Sequence, residues 1–301
     1  MHQATQRYKL LREEQLLNDL DWVVRSAVML DRSPPEIKAD LCSRIIDASK
    51  EGEYEKWLLS LRTDPVDLLK YFDRDEQLIL GKYFEHLLFF FFTFYPRYEI
   101  IESGKQLFVG GETISEIDFI VRDHLHRENI HFEVAVKYYL CYRNSSKHDM
   151  WIGPNGLDTL SKKMHKLSKQ LDFSESHNKL IDDVEIDHRM GIIKGYLFQH
   201  LEGDNWPHFI NEDLETGKWM YHIEMNTYLD PDYDYLILPK SCWLSFYIDP
   251  ENRKMSKKEA VIECEKQLSL IRKGIMLVSL EKDSKNVIEK FMILPSHWPH
   301  L

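Results

Sequence analysis

The sequence predicts an α/β protein with a mixed β-sheet flanked by helices, a helical N-terminal extension and a C-terminal α/β extension. Three observations carry this. Apolar residues recur at helical spacing through much of the first 94 positions. Two runs, about 115–122 and 130–140, place polar and apolar side chains in the period of two that a half-buried strand requires. A second helical stripe, Leu157, Leu160, Met164, Leu167 and Leu171, is followed by the apolar run Gly191-Ile-Ile-Lys-Gly-Tyr-Leu-Phe198.

Taken in order, Leu10 through Val24 give a first helix over about 5–30, ended by Ser33-Pro34-Pro35. Helices follow at about 36–48, 53–62 and 66–72, and residues 1–75 form a helical region. A longer helix, about 76–94, ends before Pro96, and 97–108 is mostly extended. With the two alternating strands, a loop at Trp151-Ile-Gly-Pro-Asn155, the helix at about 157–171 and the strand at 191–198, the order in a core of 76–200 is helix, three strands, helix, strand. The remainder, 201–301, should add strands near 219–224, 235–247 and 289–294 and a helix near 256–273, packed on that core.

Composition narrows the class. The chain has 301 residues, long enough to bury a substantial core, and a net charge of -11, which argues against indiscriminate coating of nucleic acid while leaving room for a local basic groove. Cys42, Cys141, Cys242 and Cys264 are widely spaced with no CxxC pair, so reduced thiols in a cytoplasmic protein are expected rather than zinc or a disulfide framework. Leu87–Phe94, the most apolar run, is far short of the roughly 20 residues that span a bilayer, so no membrane partner is expected. Neither GxSxG, a P-loop nor GxGxxG occurs, which leaves serine-hydrolase, nucleotide-hydrolase and Rossmann readings without support.

The chemistry concentrates between Gly111 and Lys137. Glu116 and Asp118 share one face of the first alternating strand; Glu133, Ala135 and Lys137 share one face of the second. If these strands pair as a hairpin, Asp118, Glu133 and Lys137 can converge. Two acids and a lysine at one point suit a hard divalent cation and the activation of water against a phosphodiester.

This pattern resembles the PD-(D/E)XK nuclease superfamily. The match rests on Glu85, Glu116-Ile-Asp118, Glu133-Val-Ala-Val-Lys137 and the lysine-bearing helix ending in Gln170. The whole chain more closely resembles a bacterial family filed as domain of unknown function 1853, through Asn18-Asp-Leu-Asp-Trp22, Leu80-Gly-Lys-Tyr-Phe-Glu85, Glu133–Tyr139, Trp151–Asn155, Lys163, Gln170-Leu171, Gly195–Phe198 and Trp298-Pro299. The resemblance implies a restriction-endonuclease-like core. Asp118 and Glu133, with the Val134 carbonyl, would then hold Mg2+ or Mn2+, Glu85 would be a further ligand or a partner of the ligands, and Lys137 would orient water or stabilise the transition state. Glu116 is the alternative extra acid. One departure stands out: the superfamily places its lysine two residues after the acid, where this chain has Ala135, and Lys137 lies about 7 Å further along at about 3.3 Å per residue.

Between 137 and 170 seven basic residues face only two acids, Asp149 and Asp158. Lys162, Lys163, Lys166 and Lys169 lie off the apolar stripe and could contact phosphates of DNA or RNA, with Gln170 one turn beyond Lys166; a solvated helix face and a helix-end cap are the plainer readings. Trp206, Trp219, Tyr221, Trp243, Tyr247 and Trp298 read as core aromatics before they read as a base-stacking platform, and His131 reads as structural. The functional expectation is a Mg2+- or Mn2+-dependent nuclease. The alternative is a catalytically inactive nuclease-like module that binds nucleic acid or a protein partner.

Overall fold

The computed structural model describes residues 2–30, 40–41, 44–73, 79–109, 112–143, 146–176, 184–203, 206–249, 252–271 and 273–300, and in them the chain is α/β, with mixed β-sheet and flanking helices. Two compact units emerge: residues 1–136, 163–194 and 209–213 in the first, residues 137–162, 195–208 and 214–301 in the second.

The first unit begins with α1 (His2–Arg25), β1 (Asp40–Leu41), α2 (Arg44–Ser49), α3 (Gly52–Thr63) and α4 (Val66–Phe72). Most of the helix expected at about 36–48 lies outside the described residues; its described part is α2 and the two-residue β1. The phenylalanine run forms α5 (Leu80–Phe94), which stops because Pro96 forces the preceding Tyr95 into extended backbone (φ -85, ψ 118). Phe84, Leu87, Leu88, Phe90, Phe91 and Phe92 are buried, as expected for a core helix. Asp19 of α1 braces it by accepting from the Tyr83 hydroxyl (2.9 Å), while Asp21 of α1 accepts from Tyr54 of α3 (3.0 Å) and from Arg25 of its own helix (2.6 Å).

An antiparallel meander follows: β2 (Tyr98–Val109), β3 (Glu112–Asp123) and β4 (Glu128–Cys141). After β5 (Trp151–Ile152), a strand of the second unit, come α6 (Leu160–Ser176) and β6 (His188–His200), the latter pairing with β1 in parallel. Phe119 and Phe132 sit opposite one another in the β3–β4 register, and Phe92 of α5 packs on both, ring centroids 5.4 and 5.5 Å away. α6 buries Met164, Leu167 and Leu171. It approaches β6 so closely that a Cβ at Gly191 would lie 2.5 Å from Leu167. The helix begins at Leu160 rather than at 157, because the Thr159 hydroxyl caps it by accepting from the Lys162 amide (3.2 Å). Leu157 is therefore outside the stripe and exposed.

Two buried cations fasten the first unit. Arg97 donates to both carboxylate oxygens of Asp123 (3.1 and 2.7 Å) and to Glu51 (2.7 Å). Lys194, wholly buried on β6, donates to the carbonyls of Val24 (3.1 Å) and Ser26 (2.7 Å), where the last turn of α1 leaves acceptors open.

The second unit holds the end of β4 with β5 (Trp151–Ile152), the end of β6, then β7 (Thr216–Tyr221), α7 (Met225–Tyr228), β8 (Asp234–Leu238), α8 (Lys257–Ile271), β9 (Ile275–Leu280) and β10 (Val287–Leu294). The strands run β6, β7, β10, β9, β8, parallel from β6 to β10 and antiparallel beyond. Part of the expected 151–155 loop is thus strand, β9 was not anticipated, and the expected strand 235–247 ends at Leu238, where Pro239 removes a donor from the ladder. Trp219, Trp243 and Trp298 are core residues, and their indole N–H groups donate to the carbonyls of Cys141 (2.9 Å), Leu238 (3.1 Å) and Gly153 (3.2 Å). Trp206 is partly exposed and stacks on Trp151. Cys141, Cys242 and Cys264 are free thiols; Cys42 lies outside the described residues.

Burial works to raise the Asp123 carboxyl, but the hydrogen bonds from Arg97 and His126 win and hold it down at about 2. A carboxyl depressed in the folded state stabilises the protein above its unfolded value near 4, and that contribution is lost as pH falls toward 2. Asp123→Asn should lower stability near neutrality by about 3–5 kcal/mol, because it leaves the Arg97 charge buried without its main partner. Denaturant melts should show the variant losing less stability than the wild type between about pH 5 and pH 2. Gly195 has φ +130, and a Cβ there would lie 1.8 Å from the Lys137 carbonyl oxygen. Gly195→Ala should therefore depress the melting temperature strongly, whereas Gly52→Ala, with open space around it, should not.

Candidate functional site

Antiparallel pairing of β3 with β4 sets Phe119 opposite Phe132 and Ile120 opposite His131. One further step of that register puts Asp118 opposite Glu133, on the face away from the phenylalanines. Opposed residues point to the same side of a sheet, so the two carboxyl groups meet. They are close enough to hydrogen bond to one another. Asp118 Oδ2 also accepts from the Val134 amide at 2.8 Å.

The pair is electrostatically strained. Burial pushes Glu133 up to about 8, against the opposing pull of Lys163, the hydrogen bonds with Asp118, and Lys166. Burial, then the neighbouring charge of Glu133, pushes Asp118 up to about 7, while the Val134 amide and Lys163 hold it back. A proton shared between the two is the low-energy arrangement, since adjacent carboxylates in a poorly solvated site do not both ionise readily.

Behind Glu133 lies a polar chain whose His131 and Ser174 are fully buried and which ends on the half-buried Arg189. The Glu133 Oε1 atom is 2.9 Å from His131 Nε2, and His131 Nδ1 is 2.8 Å from Ser174 Oγ on α6. Arg189 Nε donates to that hydroxyl at 3.0 Å. His131, Ser174 and Glu133 are at most 1 % exposed. Burial, with the charge of Arg189, pushes His131 down to about 4, so the ring is neutral at pH 7.

The remaining candidates are distributed around this pair. Glu85 forms an ion pair with Lys82 (2.6 Å), which meets the need of a charge beside the apolar run, and its charge contributes to the rise of Asp118. The Glu116 carbonyl accepts from Gln170 Nε2 (3.4 Å), and Gln170 Oε1 is buried without a hydrogen-bond partner. Lys163 is half-buried, and Lys166 and Lys169 are exposed on α6. Lys162, in the first turn of α6, is exposed and reaches the Leu157 carbonyl (3.4 Å). The Lys137 ammonium pairs with Asp158 Oδ2 at 2.6 Å, and the Tyr139 hydroxyl donates to the same oxygen at 3.2 Å. Lys163 and Lys166 are among the charges that hold Asp118 and Glu133 back, and Lys82 also feels the charge of Asp118.

Of three contact residues of the site, His131 reads as structural in the sequence, and Ser174 and Arg189 are not singled out there. His131 carries a readable signal, since His131-x-Glu133 shares one face by strand alternation. Ser174 and Arg189 carry none, because only packing of α6 and β6 brings them to the ring.

Among the described residues no three His, Cys, Asp or Glu side chains gather as a ready metal cage. Two carboxylates are nevertheless a donor set that Mg2+ accepts, since it completes its shell with waters and substrate phosphate. Both carboxyls are raised, chiefly by burial. Among the described residues no helix is long and apolar enough to cross a membrane. No curated protein and no solved structure matches the chain. A family model described as a domain of unknown function (DUF1853) matches residues 18–292, most of the chain, and the protein belongs to that family.

Proposed function

We propose that the chain hydrolyses phosphodiester bonds of DNA or RNA, with Mg2+ or Mn2+ held between Asp118 and Glu133. The meeting of the buried Glu133 carboxyl with the half-buried Asp118 carboxyl from the paired strand, beside Lys163, is the observation that carries the reading. A divalent ion at this point would polarise a phosphate oxygen and acidify a bound water. Asp118 and Glu133 would hold it as carboxylates, giving up the proton they otherwise share. Lys163 supplies the positive charge that offsets the charge building on the phosphate in the transition state. Glu85 adds negative potential from α5, and Lys166 and Lys169 contact backbone phosphates without reading bases. The PD-(D/E)XK resemblance agrees with this assignment, with the lysine supplied by a helix rather than by Lys137.

A second reading has one observation in its favour. Lys137 is committed to Asp158, so the strand lysine of the superfamily pattern is engaged in structure. A module that binds nucleic acid or a protein partner without cutting would be the result. Metal titration separates the two.

Mn2+ or Mg2+ at millimolar concentration should raise the melting temperature of the wild type, because a ligand that binds only the folded state stabilises it. Asp118→Ala and Glu133→Ala should each abolish that shift and any cleavage of DNA or RNA while leaving the fold intact; cleavage retained in the double variant sinks the proposal. Both carboxyls are raised, so without metal their contribution is most favourable at acid pH and is lost as pH rises from about 4 through 8. Asp118→Asn should flatten that decline in metal-free melts. Lys163→Met should reduce cleavage by at least about tenfold, in the range of one lost electrostatic contact, while Lys137→Met should act mainly through loss of the Asp158 contact and lower stability.

A further inference from the structure

We infer that His131 is a positioning residue that locks Glu133 in the orientation a cation needs, and that Ser174 and Arg189 lock His131. The inference rests on the reading of Asp118 and Glu133 as a cation site and adds to it the device that sets their geometry.

The hydrogen-bond accounting supports one direction through the chain. Arg189 has only donors, so Ser174 Oγ receives from its Nε (3.0 Å). The hydroxyl proton of Ser174 has two acceptors in reach, His131 Nδ1 at 2.8 Å and the Leu171 carbonyl at 3.0 Å. Given to the ring, it leaves Nδ1 as acceptor and puts the ring proton on Nε2, aimed at Glu133 Oε1 at 2.9 Å. Donors then follow one another from a guanidinium to a carboxyl group, an order in which each bond polarises the next. One Glu133 oxygen is committed to the ring, and the other is left for Asp118 or for the ion. Glu133 is almost wholly buried, so water cannot take the place of the imidazole. The groups that face the ring are Glu133, Ser174 and the charges of Arg189 and Asp118.

Calorimetric titration with Mn2+ alone, on the full chain, tests this. Wild-type protein should bind, His131→Leu should bind roughly 10–100-fold more weakly, as is usual when the partner of a metal ligand is removed, and His131→Gln, whose amide can still donate toward Oε1, should recover most of the affinity. A purely structural role predicts unchanged affinity in every variant that folds. Mn2+ bound equally well by His131→Leu overturns the inference and leaves the cation site standing, whereas a wild type that binds no Mn2+ at millimolar concentration removes the site itself. Should His131→Leu fail to fold, nitrogen NMR of the wild-type protein in saturating Mg2+ decides: the His131 proton is expected on Nε2, and a proton found on Nδ1 with none on Nε2 overturns the inference.

Discussion

The register of β3 against β4 is the constraint on which the site depends. Slipping one strand by a single residue would turn every side chain of that strand to the other face. Asp118 would then point into the aromatic layer, and Phe119 would point toward Glu133. The pairing of Phe119 with Phe132 under Phe92 opposes such a slip, because it places three stacked or edge-on rings where only apolar groups can be accommodated. The apolar face of the hairpin therefore fixes the polar face. The aromatic run of α5, which looks unrelated to chemistry in the sequence, is what aligns the two acids.

That alignment has an energetic consequence. Two carboxyls pressed together, Glu133 buried and Asp118 half-buried, oppose folding whenever both ionise, and the positive potential of Lys163 and Lys166 only partly relieves them. Elsewhere in the same unit buried charge is matched directly, as in Arg97 with Asp123 and Glu51, or Lys194 with the end of α1. The contrast matters. The fold matches its buried ions directly in two places and in a third leaves two carboxyls side by side, both raised chiefly by burial.

Much of this was legible from residue spacing. Strand alternation put Asp118 and Glu133 on facing positions, and the helical stripe of Met164, Leu167 and Leu171 predicted which face of α6 is buried. Boundaries were less accessible because local signals overrode periodicity: Thr159 starts α6 three residues after Leu157, and Pro239 ends β8 within a run that otherwise reads as strand. Ile275–Leu280 was missed for a different reason. All six of its residues are buried, so no alternation marks it. The lysine was the hardest element to place. Lys137 has the right parity on β4, but parity does not reveal that Asp158 lies within reach of its ammonium, nor that α6 brings Lys163 to the acids.

The choice between hydrolysis and mere binding turns on what surrounds the acids rather than on the acids themselves. A module that only grips phosphate gains nothing from a carboxyl pair, which repels it; exposed lysines such as Lys166 and Lys169 would suffice. A buried relay that holds one of those carboxyls in a fixed orientation is harder still to explain by anion binding, since it orients negative charge toward the same ligand. Both features become intelligible once a cation stands between carboxylate and phosphate, because the ion reverses the sign of the local field. The His131–Ser174–Arg189 chain thus fits the proposed cation site, and cation binding is the step on which the proposed hydrolysis depends.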